Sequence, residues 1–298
     1  MSIKVYPPQE IHVPVLLNAS IDTLMPVLGD SYLDLTAGYG GHARRFLGIT
    51  GNYKDSVLVD RDDSSIKELY DLKQKGVEIM HTDFVSASRQ LIKVGRQFNI
   101  VLVDLGVSSP QLDQGDRGFS FTNSGPIDMR MDRRQALSAY TLVNKASKEE
   151  IQKIIVNYGE ESIAFASRVA NAIVKNRPLK TTEELANLVK LQYRGKWKKI
   201  HPATRTFQAL RIEVNQELKQ IEELLPMLPL LLKTGGRVAV ISFHSLEDRL
   251  VKRFFKEQFE SGYESILSSL TKKPLDGANY DVNNPRSRSS KLRAAVKK

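Results

Sequence analysis

A glycine-rich segment in the first part of the chain has the residue types of a ligand-binding loop. Residues 34–42 read Asp-Leu-Thr-Ala-Gly-Tyr-Gly-Gly-His and begin at the end of a short apolar run. Glycines let the backbone approach a ligand closely, and the N–H groups that open the next helix attract a carboxylate or phosphate. The segment lacks the Gly-Lys-Ser/Thr of a Walker A loop and is not a clean G-x-G-x-x-G dinucleotide motif. A tight structural turn is the alternative interpretation.

Three later residues stand at or just after the ends of further apolar runs, where they could contact the same ligand. Asp60 follows the glycine loop by about 20 residues, a spacing at which a carboxylate binds the ribose hydroxyls of an adenosine-type ligand. Its alternative role is to cap the next helix, although Asp62 and Asp63 are better placed for that. Phe84 follows the third run, where an adenine would lie, and a core position is the alternative. Asp104 ends the fourth run.

Together these residues favour S-adenosylmethionine over NAD as the ligand. In the methyltransferase version of such a sheet, the first loop holds a methionine moiety and no pyrophosphate has to be bound. That agrees with a loop that contains Tyr39 and has no basic residue before Arg44.

The elements that must position these residues alternate between strand and helix. Short, nearly continuous apolar runs cover residues 31–36, 56–60, 77–81 and 99–104, and each of the last three follows a polar segment of helix length. This pattern is typical of parallel strands that are buried on both faces. It predicts an α/β fold with a mostly parallel, doubly wound sheet of the Rossmann-like class I type.

Residues 113–199 lack a comparable strand signal. Apolar residues recur there at helical spacing instead, and the strand pattern resumes at 237–243. We therefore predict a discontinuous core of residues 1–112 and 200–298, with an inserted all-helical domain at 113–199 that recognises the substrate. A single long helix is predicted over 204–225.

Composition excludes several classes of protein. The 298 residues include no cysteine, which rules out disulfide-stapled folds, cysteine-ligated zinc and cysteine nucleophiles. No metal-ligand spacing is convincing, and no apolar run reaches the roughly 18 residues of a membrane span. The N-terminus lacks a charged-then-apolar signal pattern, so we predict a cytoplasmic protein without a metal. The net charge of +10 suggests a polyanionic partner such as a nucleic acid, or a surface that is basic for solubility.

Basic residues surround the only tryptophan in the sequence. A basic loop with an aromatic side chain can bind phosphate and stack a base, which is typical of RNA contact. A solvated face, with the tryptophan packed into the helical domain, is the alternative. The predicted RNA contacts are Arg194, Lys196, Trp197, Lys198, Lys199 and Arg205.

Several long motifs occur in the order of one known family. They cover residues 104–113, which read Asp-Leu-Gly-Val-Ser-Ser-Pro-Gln-Leu-Asp, and residues 116–121, 128–132, 201–212 and 241–249. In these motifs the chain resembles the bacterial 16S ribosomal RNA cytosine-N4 methyltransferases, the MraW or small-subunit methyltransferase H family. The resemblance extends over nearly the whole chain, from residue 12 to residue 290.

The resemblance implies transfer of a methyl group from S-adenosylmethionine to N4 of a cytidine in the decoding region of the small ribosomal subunit. It also implies a helical domain inserted into the methyltransferase core. The partner would be small-subunit ribosomal RNA or the assembled subunit, and both monomer and homodimer stay open. By motif match, the cofactor contacts would be Gly40, Gly41, His42, Asp60, Phe84, Asp104 and Gln111.

The sequence leaves several candidates for the side chain that assists the acceptor nitrogen. Cytosine N4 is a poor nucleophile because its lone pair is delocalised into the ring, and an enzyme helps by accepting a hydrogen bond from the amino group. The Asp/Asn-Pro-Pro-aromatic motif that amino-methyltransferases commonly use is absent after the fourth run. The catalytic candidates are Asp104, Ser108, Ser109 and Asp128, with Asp132 as a further alternative. No covalent adduct with the base is expected, since N4 is alkylated directly and no cysteine exists.

Two rival functions remain at this point. The first is a methyltransferase for another amino acceptor, such as a protein side chain or a DNA cytosine. The second is a non-catalytic RNA-binding or assembly factor that retains the fold.

Overall fold

Eight strands form one mostly parallel sheet in residues 14–195 and 201–298, the parts of the chain that the computed structural model describes. The strands are β1 (Tyr32–Asp34), β2 (Val57–Asp60), β3 (Glu78–His81), β4 (Phe98–Asp104), β5 (Leu232–Ser242), β6 (Leu267–Ser269), β7 (Leu275–Asp276) and β8 (Lys291–Lys297). Their order across the sheet is 3-2-1-4-5-8-6, with β7 also paired to β8. Strands β1 to β5 run parallel, whereas β8 runs antiparallel to β5, β6 and β7. This topology confirms the predicted α/β fold with a mostly parallel, doubly wound sheet.

Helices occupy most of the remaining described chain. They are α1 (Leu17–Leu24), α2 (Gly41–Thr50), α3 (Asp63–Glu68), α4 (Tyr70–Gln74), α5 (Phe84–Lys93), α6 (Ser109–Asp113), α7 (Ala139–Lys145), α8 (Lys148–Gly159), α9 (Ile163–Lys175), α10 (Thr182–Gln192), α11 (Thr204–Asn215), α12 (Glu217–Leu224), α13 (Leu228–Leu231), α14 (Ser245–Glu260) and α15 (Gly277–Tyr280). Among the helices of the two described ranges, none combines the length and the apolar character that a bilayer-spanning segment requires.

Contacts divide the described chain into two compact units. The first contains the described residues up to Asp60, together with Ser64–Leu105 and Leu224–Lys298. The second contains Arg61–Asp63 and Gly106–Glu223. The sheet therefore belongs to the first unit, and the second unit, apart from Arg61–Asp63, is inserted between β4 and β5.

The sheet of the first unit is buried on both sides. Three successive residues of β4, Val101, Leu102 and Val103, are fully buried although neighbouring side chains on a strand point to opposite faces. On β1, the ring of Tyr32 stacks on Phe46 of α2 with 4.8 Å between the ring centroids. These contacts explain why the strands appear in the sequence as nearly continuous apolar runs.

The second unit has its own helical core. Ile151 and Ile155 of α8, Val169 of α9 and Leu210 of α11 are all fully buried within one cluster. Because α11 packs against α8, the second unit extends to Glu223. Its bounds therefore differ from the predicted insertion of 113–199, whose role as a substrate-recognition module stays a prediction.

One predicted helix is divided in two. The sequence pattern predicted one long helix over 204–225, but α11 ends at Asn215 and α12 begins at Glu217. Gln216 lies between them with a φ of 52°, in the left-handed region that a continuous right-handed helix does not contain.

Candidate active site

Three aspartates stand at the carboxyl ends of three adjacent strands. Asp60 ends β2, Asp34 ends β1 and Asp104 ends β4, and these strands are neighbours in the order β2-β1-β4. Asp34 is in register with Leu58 of β2 and Leu102 of β4. The strand order reverses direction between β1 and β4, and open α/β sheets bind ligands in the crevice at such a point. Asp60 and Asp104, the two of these that were predicted as site residues, therefore lie at the expected edge of the sheet in the first unit.

The glycine loop lies between β1 and α2 and is held by Asp60. The Asp60 carboxylate accepts a hydrogen bond of 2.7 Å from the backbone N–H of Gly38. Gly40 has a φ of 80°, and a Cβ atom there would lie 2.8 Å from Leu69 Cδ2. A Cβ atom at Gly41 would collide with the ring of Pro14. The loop therefore needs glycine both for its backbone conformation and for close packing.

His42 lies in the first turn of α2 and connects the loop to β4. Its side chain is buried, with Nε2 3.1 Å from the carbonyl oxygen of Val15 and Nδ1 3.7 Å from Oδ2 of Asp104. A carbonyl oxygen only accepts hydrogen bonds, so Nε2 carries the proton in this contact. Nδ1 is therefore the ring atom that faces the Asp104 carboxylate.

Asp104 has one carboxylate oxygen that the protein leaves unsatisfied. Its Oδ1 is buried and has no hydrogen-bond partner among the described residues. Desolvation, together with the carboxylates of Asp34 and Glu247, raises the pKa of Asp104 well above its ordinary value. An orphaned buried acceptor of this kind is the feature that a hydrogen-bond donor of a ligand would satisfy.

Asp34 was not predicted as a site residue, although the glycine motif begins with it. It is buried, and its carboxylate accepts hydrogen bonds from Tyr32 Oη at 2.7 Å and from the Thr36 N–H at 3.1 Å. Desolvation raises the pKa of Asp34 to about 7, and the hydrogen bonds from Tyr32 and Thr36 offset part of that shift. An acid at the end of a buried strand was the signal that could have found it.

Glu247 was also missed by the sequence prediction. It is fully buried in the first turn of α14, and its Oε2 accepts a hydrogen bond of 2.8 Å from the N–H of Phe243. Its position three residues after the helix cap His244 is a capping-box signal. The helix cap alone did not indicate that this carboxylate would act electrostatically on Asp104.

Phe84, predicted to lie near an adenine, begins α5 directly after β3 and is half-buried. The preceding Asp83 caps α5 by accepting hydrogen bonds from the N–H groups of Val85 and Ser86. Phe84 is therefore held at the carboxyl end of the sheet in the same unit as the glycine loop.

The other predicted site residues belong to the second unit. Ser108 and Gln111 are brought together, because the Ser108 N–H donates a hydrogen bond of 3.0 Å to Gln111 Oε1. Ser109, the first residue of α6, is buried. Asp128 instead binds Arg130 through both carboxylate oxygens, at 2.6 Å to Nε and 3.1 Å to Nη2.

Most of the predicted RNA contacts lie outside the described residues, namely Lys196, Trp197, Lys198 and Lys199. Arg194 is described and is exposed after α10. Arg205 has a side chain that is 52% exposed and lies 3.9 Å from Glu161. The RNA-binding role of these residues stays a prediction.

Known proteins match this chain over almost its whole length. The family model described as "MraW methylase family" matches residues 9–298. Three relatives bear the name "Ribosomal RNA small subunit methyltransferase H". The Cyanothece protein is 46% identical, over 97% of this chain and 95% of its own. The Synechocystis protein is 43% identical over 96% and 93%, and the Acidobacterium capsulatum protein is 44% identical over 97% and 99%. These matches confirm the resemblance and with it the prediction of a methyltransferase: the chain belongs to the MraW methylase family.

Proposed function

We propose that the protein transfers a methyl group from S-adenosylmethionine to the exocyclic N4 of a cytidine in the decoding region of small-subunit ribosomal RNA. The observation that supports this most directly is the set of Asp60, the glycine loop and Asp104 at the reversal point of the sheet, in a member of a methylase family. The ribosomal RNA substrate is supported by the names of the relatives.

The residues of the first unit fit the proposed cofactor. The carboxylate of Asp60 is suited to ribose hydroxyls, and half-buried Phe84 is suited to the adenine ring. The unsatisfied Oδ1 of Asp104 suits a donor such as the ammonium group of the methionine moiety. When bound, S-adenosylmethionine would supply an electrophilic methyl group on its sulfonium.

The protein's own part in the reaction is to orient the amino group and to receive a proton. N4 attacks best when a hydrogen-bond acceptor directs its lone pair toward the methyl carbon, and it must lose a proton as the new bond forms. Asp104 is a candidate for two roles, as cofactor ligand and as acceptor for N4. If it serves the cofactor alone, the acceptor comes from Ser108, Ser109, Asp128 or Asp132. Of these, Asp128 already accepts hydrogen bonds from Arg130 on both of its carboxylate oxygens.

We further propose that the helical second unit and the basic stretch after α10 bind the RNA. Exposed Arg194 and Arg205 support this, since arginine side chains bind phosphate bidentately. A cytoplasmic location agrees with a ribosomal substrate. A homodimer stays one of two open oligomeric states.

The decisive experiment supplies the purified protein with S-adenosylmethionine labelled in its methyl group. The acceptor is small ribosomal subunits from cells that lack the protein. The expected result is one labelled cytidine in the decoding region, with the label on N4 by mass spectrometry of the isolated nucleoside. Label on carbon 5, on another nucleotide or on a ribosomal protein would refute the proposed substrate. Failure to bind S-adenosylmethionine at all would favour a non-catalytic assembly factor.

A further inference from the structure

The second unit contains a buried ion pair that the predicted site did not include. Arg117 and Asp62 are each 3% exposed, and Arg117 Nη1 donates to Asp62 Oδ2 at 2.6 Å. The same carboxylate oxygen accepts a second hydrogen bond of 2.6 Å from Gln111 Nε2. One carboxylate oxygen therefore holds both an arginine and the amide of a residue that was predicted to contact the cofactor.

The remaining contacts of Arg117 go to a motif segment. Its Nη2 donates to the carbonyl oxygens of Arg130 at 3.1 Å and Met131 at 3.2 Å. The backbone carbonyl of Arg117 accepts a hydrogen bond of 3.1 Å from the N–H of Met129. Arg117 therefore fixes three consecutive residues of the segment 128–132, which carries the candidate Asp128.

Asn215 holds the same segment from the end of α11. Its Oδ1 accepts a hydrogen bond of 2.9 Å from the Met131 N–H, and its Nδ2 donates 2.8 Å to the Met129 carbonyl. The backbone of residues 129–131 is therefore fixed by side chains from two different parts of the chain.

Asp62 is also close in the sequence to a predicted cofactor ligand. Asp62 follows Asp60, the predicted ribose ligand, by two residues, and Arg61–Asp63 belong to the second unit. Through Gln111, Asp62 is also linked to Ser108, whose N–H binds the other end of the same amide. The Asp62 carboxylate thus binds the segment of Ser108 and Gln111 directly, and it is linked to the segment 128–132 through Arg117.

Stability alone is a poor explanation for such a pair. Burying two charges has a desolvation cost that their mutual attraction often only offsets. The Nε of Arg117 is also buried and has no hydrogen-bond partner in the described ranges, which adds a further cost. A better explanation is that such a pair fixes the conformation of the segments it holds together.

We infer that the Asp62–Arg117 pair is a positioning element for methyl transfer, and this inference rests on the proposed function. Within the second unit, the pair fixes the segment 128–132 and the Ser108–Gln111 turn relative to Arg61–Asp63. It acts through those segments and does not itself touch the reacting atoms. A misplacement of about 1 Å between donor and acceptor can lower a rate on the order of 100-fold.

The test compares Arg117→Met with the double variant Asp62→Asn/Arg117→Met. The single variant leaves the Asp62 charge buried without its partner, so both the melting temperature and the methylation rate should fall. The double variant has no buried charge left in the pair, and its melting temperature should recover. Its single-turnover rate on small subunits should stay reduced on the order of 100-fold, with the Kd for S-adenosylmethionine within about threefold of wild type.

A return of the rate together with the melting temperature would reduce the pair to a structural role and overturn the inference. If the double variant does not regain its melting temperature, Arg117→Lys decides. A lysine ammonium can pair with Asp62 but cannot reproduce the planar fork that reaches two carbonyl oxygens. Hydrogen exchange at the amides of residues 129–131 should accelerate in this variant and the rate should fall about tenfold; wild-type exchange and rate would contradict the inference.

Measurements on the wild-type protein distinguish the proposed function from the positioning inference. Its rate on small subunits tests the proposed function, whereas the ratio of variant to wild type tests the positioning element. The exchange measurement needs no substrate, so faster exchange in Arg117→Lys beside an inactive wild type would reject only the proposed substrate.

Discussion

The carboxylate of Asp60 accepts a hydrogen bond of 2.7 Å from the backbone N–H of Gly38, which ties the end of β2 to the loop that follows β1. A side chain predicted to bind a ribose is thus also part of the support of the glycine loop. The two roles are compatible, because a carboxylate has two oxygens and about four lone-pair directions for hydrogen bonds.

Replacement of Asp60 by alanine should weaken cofactor binding strongly. The variant loses both the ribose contact and the hydrogen bond that supports Gly38. Because hydrogen bonds to charged groups contribute strongly to binding free energy, the Kd for S-adenosylmethionine should rise about 10- to 100-fold. Titration calorimetry measures this directly. Asp71→Ala is the matched control, because its ion pair with Arg44 lies on the surface and is worth little. Equal affinities of Asp60→Ala and wild type would remove Asp60 from the site.

Two glycines of α2 should respond in opposite ways to alanine. A Cβ atom at Gly41 meets the ring of Pro14, whereas one at Gly48 has no atom within 4 Å. Gly41→Ala should therefore lower the free energy of unfolding by about 1–3 kcal/mol, and Gly48→Ala should raise it by about 0.5–1 kcal/mol. Urea unfolding of both variants checks the prediction. Equal effects would mean that the contact with Pro14 is not a close one.

The raised pKa of Asp34 predicts a stability that falls as pH rises. The folded protein holds the Asp34 proton up to a pKa of about 7, but the unfolded chain loses it near its ordinary value. The folded state therefore binds more protons between about pH 4 and pH 7, and its stability decreases over that window. Asp34→Asn removes this effect. The free energy of unfolding of the variant relative to wild type should therefore increase by up to about 4 kcal/mol from the lower to the upper end of the window. Denaturant midpoints at both ends measure it, and a constant difference between the two proteins would contradict the assignment.

The affinity for S-adenosylmethionine should increase with pH in the wild-type protein. Only the ionised form of Asp104 can pair with an ammonium group, and burial raises the pKa of this carboxyl. Between about pH 5 and pH 7.5 the α-amino group of the cofactor stays mostly protonated, so the slope reports the protein. In Asp104→Asn the affinity for S-adenosylmethionine should be weaker, and it should no longer increase with pH over this range. A variant with the wild-type slope would assign Asp104 to the acceptor role instead.

The charge of Arg205 should matter for RNA binding. Arg205→Glu should weaken the binding of ribosomal RNA and reduce the dependence of the affinity on salt, because fewer counterions are released. Arg205→Lys keeps the charge and serves as the control, with a salt dependence close to wild type. Titrations at several salt concentrations distinguish the two variants. An unchanged salt dependence in Arg205→Glu would place this arginine outside the RNA surface.

The sequence was sufficient to predict the parallel strands β1 to β5 and their acidic edge, but not the short strands β6 and β7. Buried parallel strands must be apolar, so β2 and β4 were evident as runs that end at Asp60 and Asp104. The buried pair of Asp62 and Arg117 was not predictable, because the two residues are 55 positions apart in the sequence and no local pattern relates one to the other. The break at Gln216 was missed for a related reason, since helical periodicity is the same on both sides of it.

The insertion between β4 and β5 has a consequence for how the chain folds. These two strands are neighbours at the centre of the sheet, yet residues 105–231 lie between them in sequence. Pairing them requires the closure of a very long loop, and its entropy cost is reduced if the intervening helices are already ordered. Helix α9 packs against its sequence neighbours α8 and α10, and such local contacts are made quickly, whereas a distant parallel pairing is slow. We therefore expect the second unit to fold early and to bring the ends of β4 and β5 together, so that mutations in its core slow the formation of the sheet.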